Sequence, residues 1–122
     1  MSLRSDILMP DSIFKALSDA SRLRILLLLI EVEEICVCEL TQALDIDQPK
    51  ASRHLAYLRK LGVLSDRRNG KWVFYSLKSN LPPWVVQTIK VCLASNGSFI
   101  EEAMNKLNAM GNRPERQSTC CA

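Results

Sequence analysis

The chain has 122 residues, 48% of them apolar and 24% charged, with a formal net charge of +3. That suits one soluble domain with its own core and excludes a membrane-spanning chain, because the longest apolar run, Ile25 to Ile30, is far short of a bilayer crossing. The N-terminus "MSLRSDILMPDS" lacks the pattern of a secretory leader, so a cytoplasmic protein is expected, and the odd number of cysteines argues against a closed disulfide framework.

In chain order the pattern is helical. Asp11 can cap a short helix whose Ile13, Phe14 and Leu17 share a face. "SDAS" (18–21) breaks it, and "RLRILLLLIEVEE" follows as a helix apolar nearly all round, which predicts a central buried position. "CVCELTQALD" reads as a third, short helix. "IDQP" is a tight turn that places Pro49 early in a fourth helix, "KASRHLAYLRKLG", ending at Gly62 as a C-cap. The period then changes to that of two strands, "VLSDRR" and "KWVFYSL", around Asn69-Gly70, a pair suited to a type I′ turn. Two prolines restart a helix, "LPPWVVQTIKVCLASN". "GSFIEEAMNKLNAM" is a last amphipathic helix with Ile100, Met104 and Leu107 on one stripe. Residues 1–110 therefore form one domain and 111–122 a polar tail without period. A short helix, a tight turn, a longer basic helix and a hairpin make a mainly α fold with a small β-hairpin, the order of a winged helix-turn-helix.

Charge supports this reading. From Gln48 to Lys78 there are eight Lys/Arg and one acid, so the window carries +7 and the rest of the chain −4. On a helix advancing 100° per residue, Ala51, Leu55, Leu58 and Gly62 fall in one narrow sector, with Lys50, Arg53, Tyr57 and Lys60 opposite. Ser52 and His54 flank the outer face. A helix of this kind fits the major groove of double-stranded DNA, where Gln48, Lys50, Ser52 and Arg53 near its N-terminus can reach base edges. Arg67, Arg68 and Lys71 at the hairpin tip suit phosphates or the minor groove.

"EICVCEL" holds two thiols, Cys36 and Cys38. They are either small buried apolar residues or a soft donor pair suited to thiophilic ions. On a regular helix, side chains two apart point about 200° from each other, so gripping one ion requires an unwound first turn. Cys92 lies in an apolar helix and suits a core or an interface. Cys120 and Cys121 are vicinal in the tail.

"FKALSDASRLRILLLL", "ICVCELTQAL", "QPKASRHLAYLRKLGVL" and "RRNGKWVFYSL" together resemble the ArsR/SmtB family of bacterial metal-responsive repressors, and within it the arsenic sensors that carry Cys-Val-Cys on the first helix of the helix-turn-helix. The resemblance covers about residues 13–106. It implies a homodimer held by its first and fifth helices, binding of operator DNA without inducer, and release when trivalent arsenic or antimony, or a methylated arsenical, is bound. By the same resemblance Cys36 and Cys38 are the inducer ligands and Ser52 and His54 contact DNA. No cofactor is required. One departure matters: arsenic sensors often carry a third cysteine where this chain has Thr41, which leaves Cys120 and Cys121 as candidate auxiliary ligands. The single His excludes the His-rich site of zinc and nickel sensors.

A thiol-redox or persulfide-responsive repressor on the same fold is the alternative. An enzyme is not expected. There is no Cys-x-x-Cys motif, and Gln42 and Leu44 stand where a Cys-x5-Arg anion loop needs arginine.

Overall fold

A computed structural model describes residues 8–112, so Cys120 and Cys121 lie outside the described residues. Helix α1 (Pro10–Leu17) opens on Pro10, and its N-cap is Met9. Asp11, expected as the cap, stands inside the first turn and accepts the Ser12 N–H at 2.9 Å. Helix α2 (Ala20–Val32) is capped by the Asp19 carboxylate, which takes the Arg22 N–H at 3.0 Å. Its Ile25, Leu26, Leu27, Leu28 and Leu29 are each no more than 2% exposed. Five successive buried positions cover more than a full helical turn, so α2 is surrounded on every side, as its apolar circumference predicts.

The chain then departs from the expected hairpin. Ile35–Cys36 forms a short strand, β1, ahead of α3 (Val37–Leu44). With β2 (Leu64–Asn69) and β3 (Trp72–Leu77) it makes a three-stranded antiparallel sheet in the order β1-β3-β2. Ile35 pairs with Tyr75 and Cys36 with Phe74. Two residues carry no readable strand period, which is why the sequence hides β1. What makes it possible is the exit from α2. Glu33 adopts φ 72° and ψ −42°, and the Glu34 N–H reaches back to the Val32 carbonyl at 2.8 Å. This tight three-residue turn is uncommon and strained for a non-glycine residue, and it lays the next residues alongside β3.

The wing turn also sits one residue later than expected. Asn69 pairs with Trp72, so the loop residues are Gly70 and Lys71. Of the four residues 69–72, Gly70 alone has positive φ, at 66°. Glycine at the first loop position is the requirement of a type II′ turn rather than I′.

Helix α4 (Gln48–Leu61) is capped by Asp47, which accepts the Lys50 N–H at 2.8 Å, and closed by Gly62 at φ 100°. Ala51, Leu55 and Leu58 are fully buried, which fixes the inner face where the 100° advance places it. Helix α5 (Pro83–Ser95) packs on α2. The last expected helix divides into a 3-10 turn (Gly97–Ile100) and α6 (Glu101–Ala109), which packs on α3. At this break Arg24 of α2 donates its Nε to the Phe99 carbonyl at 3.2 Å, and its guanidinium lies 4.1 Å from the Phe99 ring centroid.

Candidate nucleic-acid interface and cysteine site

The cysteines stand at a junction. Cys36 ends β1 and is the N-cap of α3, with extended φ −100° and ψ 166°. Cys38 follows in the first turn of the helix. The expectation of two side chains about 200° apart on a regular helix is overturned here, because Cys36 lies outside the helix. The two Sγ atoms are 3.2 Å apart. Cys36 is 2% exposed, and Cys38 is half-buried. Glu39, fully buried, accepts the Cys36 backbone N–H at 3.0 Å, and Cys36 Sγ stands where a serine oxygen would take the Glu39 N–H in a capping box. Glutamate three residues after a cap is a readable signal, so Glu39 is a residue the sequence could have shown. Thr41, in place of a third thiol, donates its hydroxyl to the Cys38 carbonyl at 2.8 Å. Among the described residues no group of three His, Cys, Asp or Glu side chains forms a metal site. Cys92 is half-buried on α5, far from this junction in the chain order and packed against the core.

The outer face of α4 presents Gln48, Lys50, Ser52, Arg53 and Lys60 to solvent. Tyr57, 37% exposed, carries the Arg22 guanidinium 4.2 Å from its ring centroid. His54 turns inward. Its side chain is 13% exposed, and Nε2 lies 3.7 Å from the Asp19 carboxylate without a hydrogen-bond partner. Burial lowers the His54 pKa below 6.5, and the Arg22, Lys50 and Arg53 cations push the same way against the opposing pull of Asp19. Asp19 in turn is held below the usual carboxylate value chiefly by the Arg22 N–H. Asp19, Arg22, His54 and Tyr57 thus tie the start of α2 to the middle of α4.

In the wing, Arg68 and Lys71 are exposed, with the Lys71 ammonium 5.1 Å from the Trp72 ring centroid. Arg67 is engaged. Its Nε and Nη2 donate to the two Glu34 oxygens at 2.6 and 2.9 Å, and its guanidinium lies 4.7 Å from the Phe74 ring centroid. Arg59 and Asp66 pair at 2.7 Å, anchoring α4 to β2. Glu34 and Arg67 are 33 residues apart, and no local pattern announces their pairing.

A tripartite helix-turn-helix with a basic outer face and a hairpin wing defines a DNA-binding transcriptional regulator, not an enzyme. The chain belongs to the arsR family of bacterial regulatory proteins, whose model matches residues 19–66. It is 47% identical over 112 residues to the arsenic resistance transcriptional regulator ArsR2 of Pseudomonas putida, covering 92% of this chain and 97% of that one. It is 54% identical over 82 residues to the arsenical resistance operon repressor of Escherichia coli, covering 67% of this chain and 70% of that one. Among solved structures, HlyU from Vibrio cholerae superposes with a TM-score of 0.64 at 32% identity, over 71% of this chain and 90% of that one. The AntR antimony-specific transcriptional repressor shares the fold with a TM-score of 0.59 at 23% identity, over 80% of this chain and 97% of that one. No helix among the described residues is long and apolar enough to cross a membrane.

Proposed function

We propose that this chain is a cytoplasmic, homodimeric repressor that holds operator DNA through α4 and the wing and releases it when Cys36 and Cys38 bind trivalent arsenic or antimony. The observation that carries the reading is the 3.2 Å approach of the two sulfurs at the N-terminus of α3. An ion bonded to two sulfurs at about 2.3 Å each and near a right angle holds them about 3.3 Å apart. With Cys38 reduced, that spacing suits a two-thiolate chelate. The position adds weight. An N-cap with glutamate three residues on favours serine or threonine for structure, so sulfur there points to thiol chemistry.

Once an external thiol has reduced Cys38 from its disulfide, binding of arsenite forms two As–S bonds and breaks two As–O bonds, and each thiol proton leaves with a hydroxide as water. The switch then lies in access rather than spacing. Cys36 is buried against β3, so seating an ion requires β1 or the first turn of α3 to part from its neighbours. Because α3 packs on α4, that movement disturbs the support of the reading helix. Gln48, Lys50, Ser52 and Arg53 read bases, while Arg67, Arg68 and Lys71 set register on the backbone. Tyr57 and His54 act from the flank, His54 by holding α4 to α2. The tail cysteines, Cys120 and Cys121, assist capture without being required. The dimer reading is supported by an apolar face on α1 and α5, where Met9, Phe14, Trp84 and Val91 are 54%, 55%, 37% and 62% exposed and the Phe14 and Trp84 rings lie 6.5 Å apart. The names of the P. putida and E. coli relatives agree with the inducer class.

The close sulfurs also favour a second reading, release by thiol oxidation. One assay separates the two: operator binding by the full chain with arsenite, antimonite, zinc, cadmium or peroxide. Release by arsenite or antimonite under reducing conditions supports the first reading. Release by peroxide alone replaces it with the second.

A further inference from the structure

The Glu34–Arg67 pair joins parts of the sheet that are not neighbours. Strands β1 and β2 flank β3 and share no backbone bonds, yet a carboxylate just ahead of β1 reaches an arginine of β2 with both oxygens. Register shows what lies beneath. Cys36 and Arg67 both pair with Phe74, from opposite sides. Directly opposed residues share a face, so Cys36, Phe74 and Arg67 form a row across the sheet. Phe74 is 4% exposed, with the guanidinium above it. Glu34 stands two residues before Cys36 and directly after the strained Glu33 turn.

We propose that Glu34 is a positioning residue that latches the wing to the cysteine-bearing segment, and that the latch opens when the cysteine pair takes its ion. The proposal rests on Cys36 and Cys38 being the inducer site. The row makes the coupling direct. Cys36 cannot leave β3 for an ion without carrying the neighbouring Glu34 with it. Once Glu34 moves, Arg67 loses both hydrogen bonds, and the wing loses its tie to the sensing segment. The latched form is thus the one with the wing set for DNA, and the open form is the one that binds the ion. The strained turn contributes in the same direction, since movement of the segment relieves it. A bond made in the latched form alone biases the equilibrium against ion binding, and by linkage its loss tightens ion binding.

The test is a calorimetric titration of the free protein with arsenite under reducing conditions, with no DNA present. It compares wild type, Glu34→Gln, Arg67→Gln and the double variant. The expected result is that each single variant binds arsenite about two- to fivefold more tightly than wild type, the range spanned by exposed ion pairs. The double variant gains no more than either single one. A pair that merely stabilised the fold would not tighten arsenite binding, and the second variant approaches the latch from the other side should one of them fold poorly. Unchanged or weaker arsenite binding in both folded single variants overturns the latch while leaving the cysteine site intact. So do gains that add independently in the double variant. A wild-type protein that binds no arsenite overturns the site and the latch together.

Discussion

Replacing Cys36 with serine separates what the position does for the fold from what the sulfur does for sensing. Serine is a good N-cap, and relative to a poor cap it contributes about 1 kcal/mol. With Glu39 accepting the Cys36 N–H at 3.0 Å, Cys36→Ser completes the Ser-x-x-Glu pattern of a capping box. Against this stands the loss of sulfur surface that is 2% exposed in the fold, worth roughly 1 kcal/mol. The two terms nearly cancel, so the melting temperature should move by less than about 5 °C. Operator affinity without inducer should stay close to wild type. Release should not. Losing one arm of a chelate removes the effective-concentration advantage of the second, so the arsenite dose for release should rise by about a hundredfold or more. Cys36→Ala, which removes the buried sulfur without supplying a serine cap, should lose release equally and about 1 kcal/mol of stability as well. Thermal melts and fluorescence-anisotropy titrations on an operator duplex read both quantities. A folded Cys36→Ser protein that lets go of DNA at the wild-type arsenite dose would refute the reasoning.

Asp47→Ala removes the carboxylate that caps α4 at 2.8 Å, and should cost about 1 kcal/mol in denaturant melts while eroding operator preference more than binding to random duplex. Unchanged preference would mean that the first turn of α4 does not read bases. His54 titrates below 6.5 in the fold because it is buried, so as pH drops below 6.5 the unfolded chain takes up a proton that the native one refuses. Stability should therefore fall from pH 7 toward pH 5 and level off once the lowered native value is passed; His54→Gln should flatten that slope, and a parallel slope in the variant would assign it elsewhere. Asp19 gives its own loss of stability only below its usual value of 3.8, a separate window. Substituting Arg68 and Lys71 with alanine should weaken binding to all duplexes alike and reduce the slope of log affinity against log salt by about one for each phosphate no longer neutralised; weakening confined to the operator would make the wing a base reader.

The sequence showed the elements whose signals are long or chemically singular. The buried α2, the two faces of α4 and the glycine at the wing turn all follow from period and residue type. It hid β1 because two residues have no period, and with β1 it hid the convergence of Cys36 and Cys38. The helical spacing rule was sound, but Glu33 reverses the chain and takes Cys36 out of the helix. It placed His54 toward the outer face, since neither the rotamer nor the Asp19 carboxylate across α2 can be read from angles along α4. The pairing of Glu34 with Arg67 depends on two strands meeting around a third. Nothing within 33 residues of chain announces that.

The sheet has a further consequence, for how copies of the chain meet. Sheets recruit foreign strands at open edges, and here both edges are poor templates. The β2 edge carries the exposed charges of Asp66, Arg67 and Arg68, which blunt it as a template for an added strand. The β1 edge is two residues long and runs straight into α3, so it offers too few backbone groups to hold an added strand. Strand addition, the route by which contacts propagate into open-ended fibres, is closed on either side. In the homodimer proposed above, association runs through the apolar α1–α5 face, and a twofold axis that buries the same patch against itself ends the contact at two copies.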